Sequence, residues 1–500
     1  MVQAESLDLP GIIEEGSGYS MNLPVIIQGG MGAGVSHWVL AKAVSKLGHL
    51  GVVSGTALDT VMARRLQLGD PGGHLRRALD HFPVPEIAQR IYDNYFVPCG
   101  KAIHQAFKRI PMYSMNPSRS LLEMTVVSNF IEVFLAKEGH QGLVGINYLE
   151  KIQMPNLASI YGAMLAGVDF VLMGAGIPRE IPGVLDKYAN HEEASLRINV
   201  ADAESNDDFR MHFNPEKIIG TIGHPLRRPS FLAIIASVTL AISLMRKSTG
   251  KVDGFVIEGP TAGGHNAPPR GPLKLDENGE PVYGERDEVN LDKIKELGLP
   301  YWLAGSYGDP GKVRAALDQG AAGVQIGTPF ALCEESGLQP EIKQAILRKI
   351  AEGDARVFTD PLASPTGFPF KVVLLEDSLT NPEVYEQRSR ICDLGYLRTP
   401  YKTEDGRVQY RCPSEPVEDY LRKSGRIEDT VGRKCLCNSL LANIGLGQVQ
   451  RSGYEEKPLV TTGQELSLVR RFLQNGKLSY SAAEVVRELC PQLELATVCA

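Results

Sequence analysis

Eight short runs of β-branched and apolar residues, most of them bounded by Gly or Pro, constrain this chain more than any other feature. They are Val25–Gln28, Gly51–Ser54, Leu143–Asn147, Asp169–Met173, Lys217–Thr221, Gly254–Glu258, Tyr301–Ala304 and Gly323–Ile326. Segments of helical period, such as Trp38–Leu47 and Pro310–Gln319, lie between several of them. Continuously apolar strands alternating with helices imply a parallel sheet covered on both faces. A count of eight favours an α/β fold of the closed (β/α)₈ TIM-barrel type over an open doubly wound sheet. Arg197–Val200 is a spare strand candidate that keeps the open sheet in play. The longest apolar run, Phe231–Met245, contains Ser237, Thr239 and Ser243. It is shorter than the ~20 residues a membrane-spanning helix needs and reads as a buried helix.

Two stretches break the rhythm. Residues 57–142 are far longer than a βα unit needs, and hold an apolar helix near Leu121–Ala136. They read as a rim insertion, a lid or an oligomer contact, which leaves a homo-oligomer open. From about Lys371 the repeat stops. Gln464–Asn475 and Ser481–Leu489 read as helices, so residues 1–370 are expected to form the barrel and 371–500 a mainly helical extension. The turn-rich stretch Phe358–Lys371 is expected near the mouth, although a plain connector has the same composition.

With 43% hydrophobic and 22% charged residues, the composition is that of a globular protein. A net charge of −7 gives no electrostatic case for nucleic acid or an anionic membrane. The opening stretch MVQAESLDLPGIIEEG lacks a cationic start before an apolar run, which argues against a targeting peptide and for the cytoplasm. Five of the eight cysteines (Cys392, Cys412, Cys435, Cys437, Cys490) lie between residues 390 and 495. Cys392, Cys412, Cys435 and Cys437 could be four zinc ligands, but the C-x-C spacing of Cys435 and Cys437 is poor for a knuckle, so buried thiols and no metal are expected.

In a barrel, chemistry sits where strands end. The first run leads into Gln28, Gly29, Gly30 and Met31, and on to Gly32 and Gly34, a backbone open to a flat ligand or simply a tight turn. The third ends at Asn147, a carboxamide that could read a pyrimidine-like edge or cap the next helix. The fourth opens through Gly174 and Gly176. The sixth runs into Gly263, Gly264 and His265, a lone imidazole on a glycine loop, ahead of Pro268 and Pro269. The seventh leads to Gly305, Ser306, Tyr307 and Gly308 before a helix with Pro310 in its first turn. The eighth carries Gln325, Gly327 and Thr328. Small, donor-rich loops after strands seven and eight form the usual phosphate cradle of barrels. One phosphate site, glycine-lined strand ends, an amide and a histidine describe FMN better than a dinucleotide.

These segments (IIQGGMGAGVS, LVGINYL, LMGAGIP, EGPTAGGHNAP and AGSYGDPGKVRAALDQGAAGVQIGTPFAL) resemble the FMN-dependent nitronate monooxygenase (2-nitropropane dioxygenase) family. That family is close to the flavin-dependent enoyl-acyl-carrier-protein reductases. The resemblance spans residues 22–370 in order. Thr261 stands where the family commonly has Glu, and AGSYG replaces AGGI. The 57–142 stretch and the tail look more like the enlarged trans-acting enoyl reductases of polyketide and polyunsaturated fatty-acid assembly lines. The resemblance implies that Gln28, Gly29, Gly30 and Met31 line the isoalloxazine, and that Asn147 meets its pyrimidine edge. Gly263 and Gly264 would permit close approach. Gly305, Ser306, Gln325, Gly327 and Thr328 would hold the phosphate, with His265 as the catalytic group. It implies oxidation of nitronates or nitroalkanes with O2 to a carbonyl compound and nitrite. The alternative is NAD(P)H-dependent reduction of an enoyl thioester on an acyl carrier protein, or of a quinone.

Overall fold

The computed structural model describes residues 12–13 and 21–491; most of the opening stretch read above for targeting lies outside them. Eight parallel strands form one sheet: β1 Ile26–Gln28, β2 Gly51–Ser54, β3 Val144–Leu149, β4 Phe170–Gly174, β5 Ser230–Ile235, β6 Gly254–Glu258, β7 Tyr301–Ala304 and β8 Gly323–Ile326. Its order is β1-β8-β7-β6-β5-β4-β3-β2. The two ends meet: Gln28 N donates to Leu50 O at 2.9 Å and Leu50 N to Ile26 O at 3.0 Å. The sheet is therefore a barrel, as the strand count predicts.

The fifth strand is not where the sequence places it. Pro215–Ile218 is a single helical turn, capped by the Asn214 side chain on Lys217 N and started by a proline. The strand comes instead from the front of the long apolar run. That run splits at Ser237, whose hydroxyl accepts from Leu240 N and caps the helix Val238–Lys247. One hydroxyl in an apolar stretch carries the boundary. The spare candidate is also off the barrel: Ala194–Arg197 pairs antiparallel with Arg210–Phe213.

Side chains alternate along a strand, so each strand points every second residue inward. The barrel floor is Ile27, Val52, Leu172, Leu232, Val256 and Trp302, all buried in one cluster. Trp302 fills it and its indole donates to Pro24 O at 2.7 Å. Gly145 makes room, since a Cβ there would stand 3.2 Å from both Leu172 and Val52.

The 57–142 stretch supplies much of the outer layer beside β2 and β3. Its helix Arg119–Lys137 is buried on nearly all sides against the helices Trp38–Lys46, Leu58–Gln67 and Asn156–Leu165. Among the described residues, no helix is long and apolar enough to cross a membrane.

Beyond 370 the chain mixes short strands and helices. Phe370–Val373 pairs with Val357–Asp360, and Thr399–Lys402 with Val408–Arg411. The stretch expected as a helix from Gln464 is a 3₁₀ run, Leu466–Phe472, while Ala482–Leu489 is a helix with a full capping box at Ser481. Val460, Leu466, Val469, Tyr480 and Val485 pack into the same core as the barrel.

Gln28 takes a structural place rather than the flavin-lining one expected of it. Its side chain is fully buried between β1 and β2, where Oε1 accepts from Val52 N at 3.0 Å and Nε2 donates to Ser36 Oγ at 2.9 Å. Replacing it by leucine leaves a buried amide hydrogen unpaired. Gln28→Leu is predicted to lower unfolding free energy by about 1–3 kcal/mol in urea titrations. An unchanged midpoint would contradict this assignment.

Candidate active site

One register step above the floor, the eight inward positions are Gly29, Ser54, Asn147, Gly174, Ile234, Glu258, Ala304 and Gln325. Every one of them lines a cavity of about 240 Å³ at the C-terminal end of the barrel. Small residues leave the space, and a few polar ones furnish it. Apart from Gln28, each residue to which the resemblance gives a role is in this lining: Gly29, Gly30, Met31, Asn147, Gly263, Gly264, His265, Gly305, Ser306, Gln325, Gly327 and Thr328.

Three polar atoms in the lining are buried and lack a hydrogen-bond partner: Asn147 Oδ1, Ser306 Oγ and Gln325 Oε1. Buried polar groups are normally paired, so these await a ligand. Gly305 and Ser306 both take left-handed backbone, with φ of +105° and +60°. The turn lifts the chain sharply off β7, and at Ser306 it is held at some strain. Thr328 Oγ accepts from Gly463 N at 2.8 Å, which leaves its own proton free to donate. The helix Pro310–Asp318 does not serve as the anion site that the sequence suggests. Asp309 accepts from Lys312 N at 2.9 Å and pairs with Arg471 at 2.5 Å, so its own carboxylate already satisfies that N-terminus.

The C-terminal region closes the mouth. Gly264 N donates to Thr461 Oγ at 2.8 Å, Gln464 N donates to Thr261 O at 2.9 Å, and Lys312 pairs with Glu465 at 2.9 Å. A Cβ on Gly263 would stand 2.7 Å from Thr462 C, so a glycine is required where the strap crosses the β6 loop. Tyr396, Leu397, Leu436, Cys437 and Leu440 add an apolar wall together with Leu149 and Ile152.

His265 is half-buried, edge-to-face with Phe370 and its Nε2 2.7 Å from Ser364 Oγ. Ser364 and Phe370 both come from the turn-rich stretch expected near the mouth. Burial, aided by Lys151, lowers the His265 pKa to about 3, so the imidazole is neutral. Two titratable groups escape sequence reading. Burial raises the Glu258 carboxyl to about 7 against the pull of Lys151 and Lys371, and lowers Lys151 to about 7. Lys151 Nζ has no hydrogen-bond partner and sits over the Phe368 ring. Inward alternation along β6 marks Glu258; Lys151 lies in an irregular loop and gives no such signal.

A family model described as "Nitronate monooxygenase" matches residues 227–363. A "Probable nitronate monooxygenase" of Bacillus subtilis is 36% identical over 121 residues, 24% of this chain and 33% of that protein. A (3aS,4S,5R,7aS)-5-hydroxy-7a-methyl-1-oxo-octahydro-1H-indene-4-carboxyl-CoA dehydrogenase of Mycobacterium tuberculosis is 28% identical over 120 residues, 24% of this chain and 30% of that protein. The chain thus spans about a third of the length of the curated relatives it matches. The solved structure of FabK from Thermotoga maritima aligns over 96% of both chains, at 16% identity and a TM-score of 0.44. The resemblance read from the motifs is borne out, and residues 227–363 carry the sequence pattern of the nitronate monooxygenase family.

Proposed function

We propose that this chain is an FMN-dependent oxidoreductase that uses NAD(P)H to reduce an enoyl thioester. The reading takes residues 1–370 as the flavin barrel and 371–500 as an extension that shapes the substrate end, in a cytoplasmic enzyme. The observation that carries it is the two-part cavity. One part is small-residue floor with unpartnered polar atoms; the other is the apolar wall from the extension, more than a nitronate of a few carbons needs.

The residues fit FMN. Ser306, Gly327 and Thr328 would hold the phosphate, Asn147 and Gln325 would meet the ring edge, and Gly29, Gly30 and Gly263 allow close approach. When bound, the flavin supplies the two-electron chemistry. The protein's share is position, exclusion of water and proton management. The neutral His265, fixed by Ser364, is suited to hydrogen-bond a thioester carbonyl and poorly suited to abstract a proton at neutral pH. Glu258, which holds its proton up to about pH 7, is suited to donate one to the substrate carbon. The strap at 461–464 keeps the mouth covered. The thioester would be presented on an acyl carrier protein.

Nitronate oxidation with O2 is the second reading. It is favoured by the family match and by Lys151, an amine without a hydrogen-bond partner that a bound anion would hold protonated. Anaerobic mixing separates the two. Bleaching of the bound flavin by NADPH or NADH, with recovery on adding an enoyl thioester, is expected; bleaching by a nitronate and not by nucleotide would establish the second reading instead. A chain that takes up no FMN would remove both.

Gly327→Val fills the cradle and is predicted to leave most of the protein without FMN, measured by absorbance after desalting; full occupancy would refute the phosphate assignment. Glu258→Gln is predicted to keep flavin reduction by nucleotide while thioester turnover drops ~10²-fold or more. In the parent, turnover is expected to decline as pH rises through about 7, where Glu258 loses its proton. A variant that keeps that limb would exclude Glu258 as the donor. His265→Ala should retain FMN and lose most turnover; unchanged turnover would deny it a role.

A further inference from the structure

Four cysteines from three separated segments meet beside the cavity wall. Cys392 precedes the strand Thr399–Lys402, Cys412 directly follows the strand Val408–Arg411, and Cys435 and Cys437 open the helix Leu436–Ala442. All four line one small void of about 10 Å³, and all are free thiols. Cys437 also lines the larger cavity.

Donors lie beside these sulfurs. Asn438 Nδ2 donates to Cys435 Sγ at 3.8 Å, and Ser414 and Arg398 line the same void beside the sulfurs. Neutral thiols are weak acceptors, whereas metal-bound thiolates are steadied by such donors. The carboxylates on the same void are engaged elsewhere. Glu415 pairs with Lys423 at 2.7 Å, and Asp393 accepts from Asn438 at 2.8 Å and Gln450 at 3.2 Å. The available ligand set is all sulfur, which selects zinc over magnesium or calcium. Regular structure is sparse around them: Pro382–Glu386 and Val417–Arg422 are the only α-helices among the described residues from 374 to 435, yet Leu394 and Leu397 are buried there.

We propose that Cys392, Cys412, Cys435 and Cys437 bind one zinc ion that fastens the extension against the barrel mouth. Among the described residues no three metal-binding groups are in place to hold an ion at once. Binding therefore draws the sulfurs inward to bonds of ~2.3 Å. Four S–H bonds break, four Zn–S bonds form and four protons leave, with no change of oxidation state. The C-x-C spacing that counts against a knuckle matters less when two ligands come from distant segments.

The test uses the full chain purified without chelators. Elemental analysis should find close to one zinc per chain, and a mercurial that caps thiols should release it to a metal-sensitive dye. Cys412→Ser should lose the metal; if that variant is insoluble, the mercurial titration of the parent decides. A metal-free parent that also fails to take up Zn2+ supplied alone would overturn the proposal. So would a disulfide between any two of the four. FMN content is a separate readout, so failure here leaves the flavin reading intact.

Discussion

Closure of the sheet between β1 and β2 is the constraint on which the rest depends. Two backbone hydrogen bonds join Ile26 and Gln28 to Leu50, and the Gln28 side chain spans to Val52. Once the ring is closed, register decides which side chains face inward, and a one-residue slip would turn each of them outward. The floor then takes the large apolar residues and the next level takes Gly29, Gly174 and Ala304 beside Asn147, Glu258 and Gln325. A cavity with polar fittings at the C-terminal end follows from that alternation.

The second requirement is met from far along the chain. Thr461 through Glu465 tie the β6 loop, the β8 loop and the helix after β7 to one another through Gly264, Thr328 and Lys312. Each link is modest, and the Lys312–Glu465 pair is partly exposed. Together they hold these three segments to one another, while Tyr396, Leu436 and Leu440 supply apolar surface the barrel lacks. The tail is thus part of the site.

Seven of the eight strands are legible in the sequence, and so is the glycine-rich part of the cavity lining, because short β-branched runs ending in glycine are local signals; the apolar wall of Tyr396, Leu397, Leu436 and Leu440 is not. The missed strand shows where that fails. Ser230–Ile235 and Val238–Lys247 read as one apolar helix because only the Ser237 hydroxyl separates them. Gln28 was misassigned because its neighbours do line the cavity, and only the closing hydrogen bonds show it turned the other way. The Arg471–Asp309 pair, the strap at 461–464 and the surroundings of Lys151 depend on contacts between distant segments. No periodicity announces these.

The central claim is that the cradle after β7 and β8 binds a flavin phosphate. The most direct measurement is a titration of flavin-free chain with FMN and with riboflavin, followed by flavin fluorescence. The account predicts about one FMN per chain, and riboflavin bound at least ~10-fold more weakly for want of the phosphate contacts of Ser306, Gly327 and Thr328. Equal binding of the two, or no binding of FMN, would contradict it.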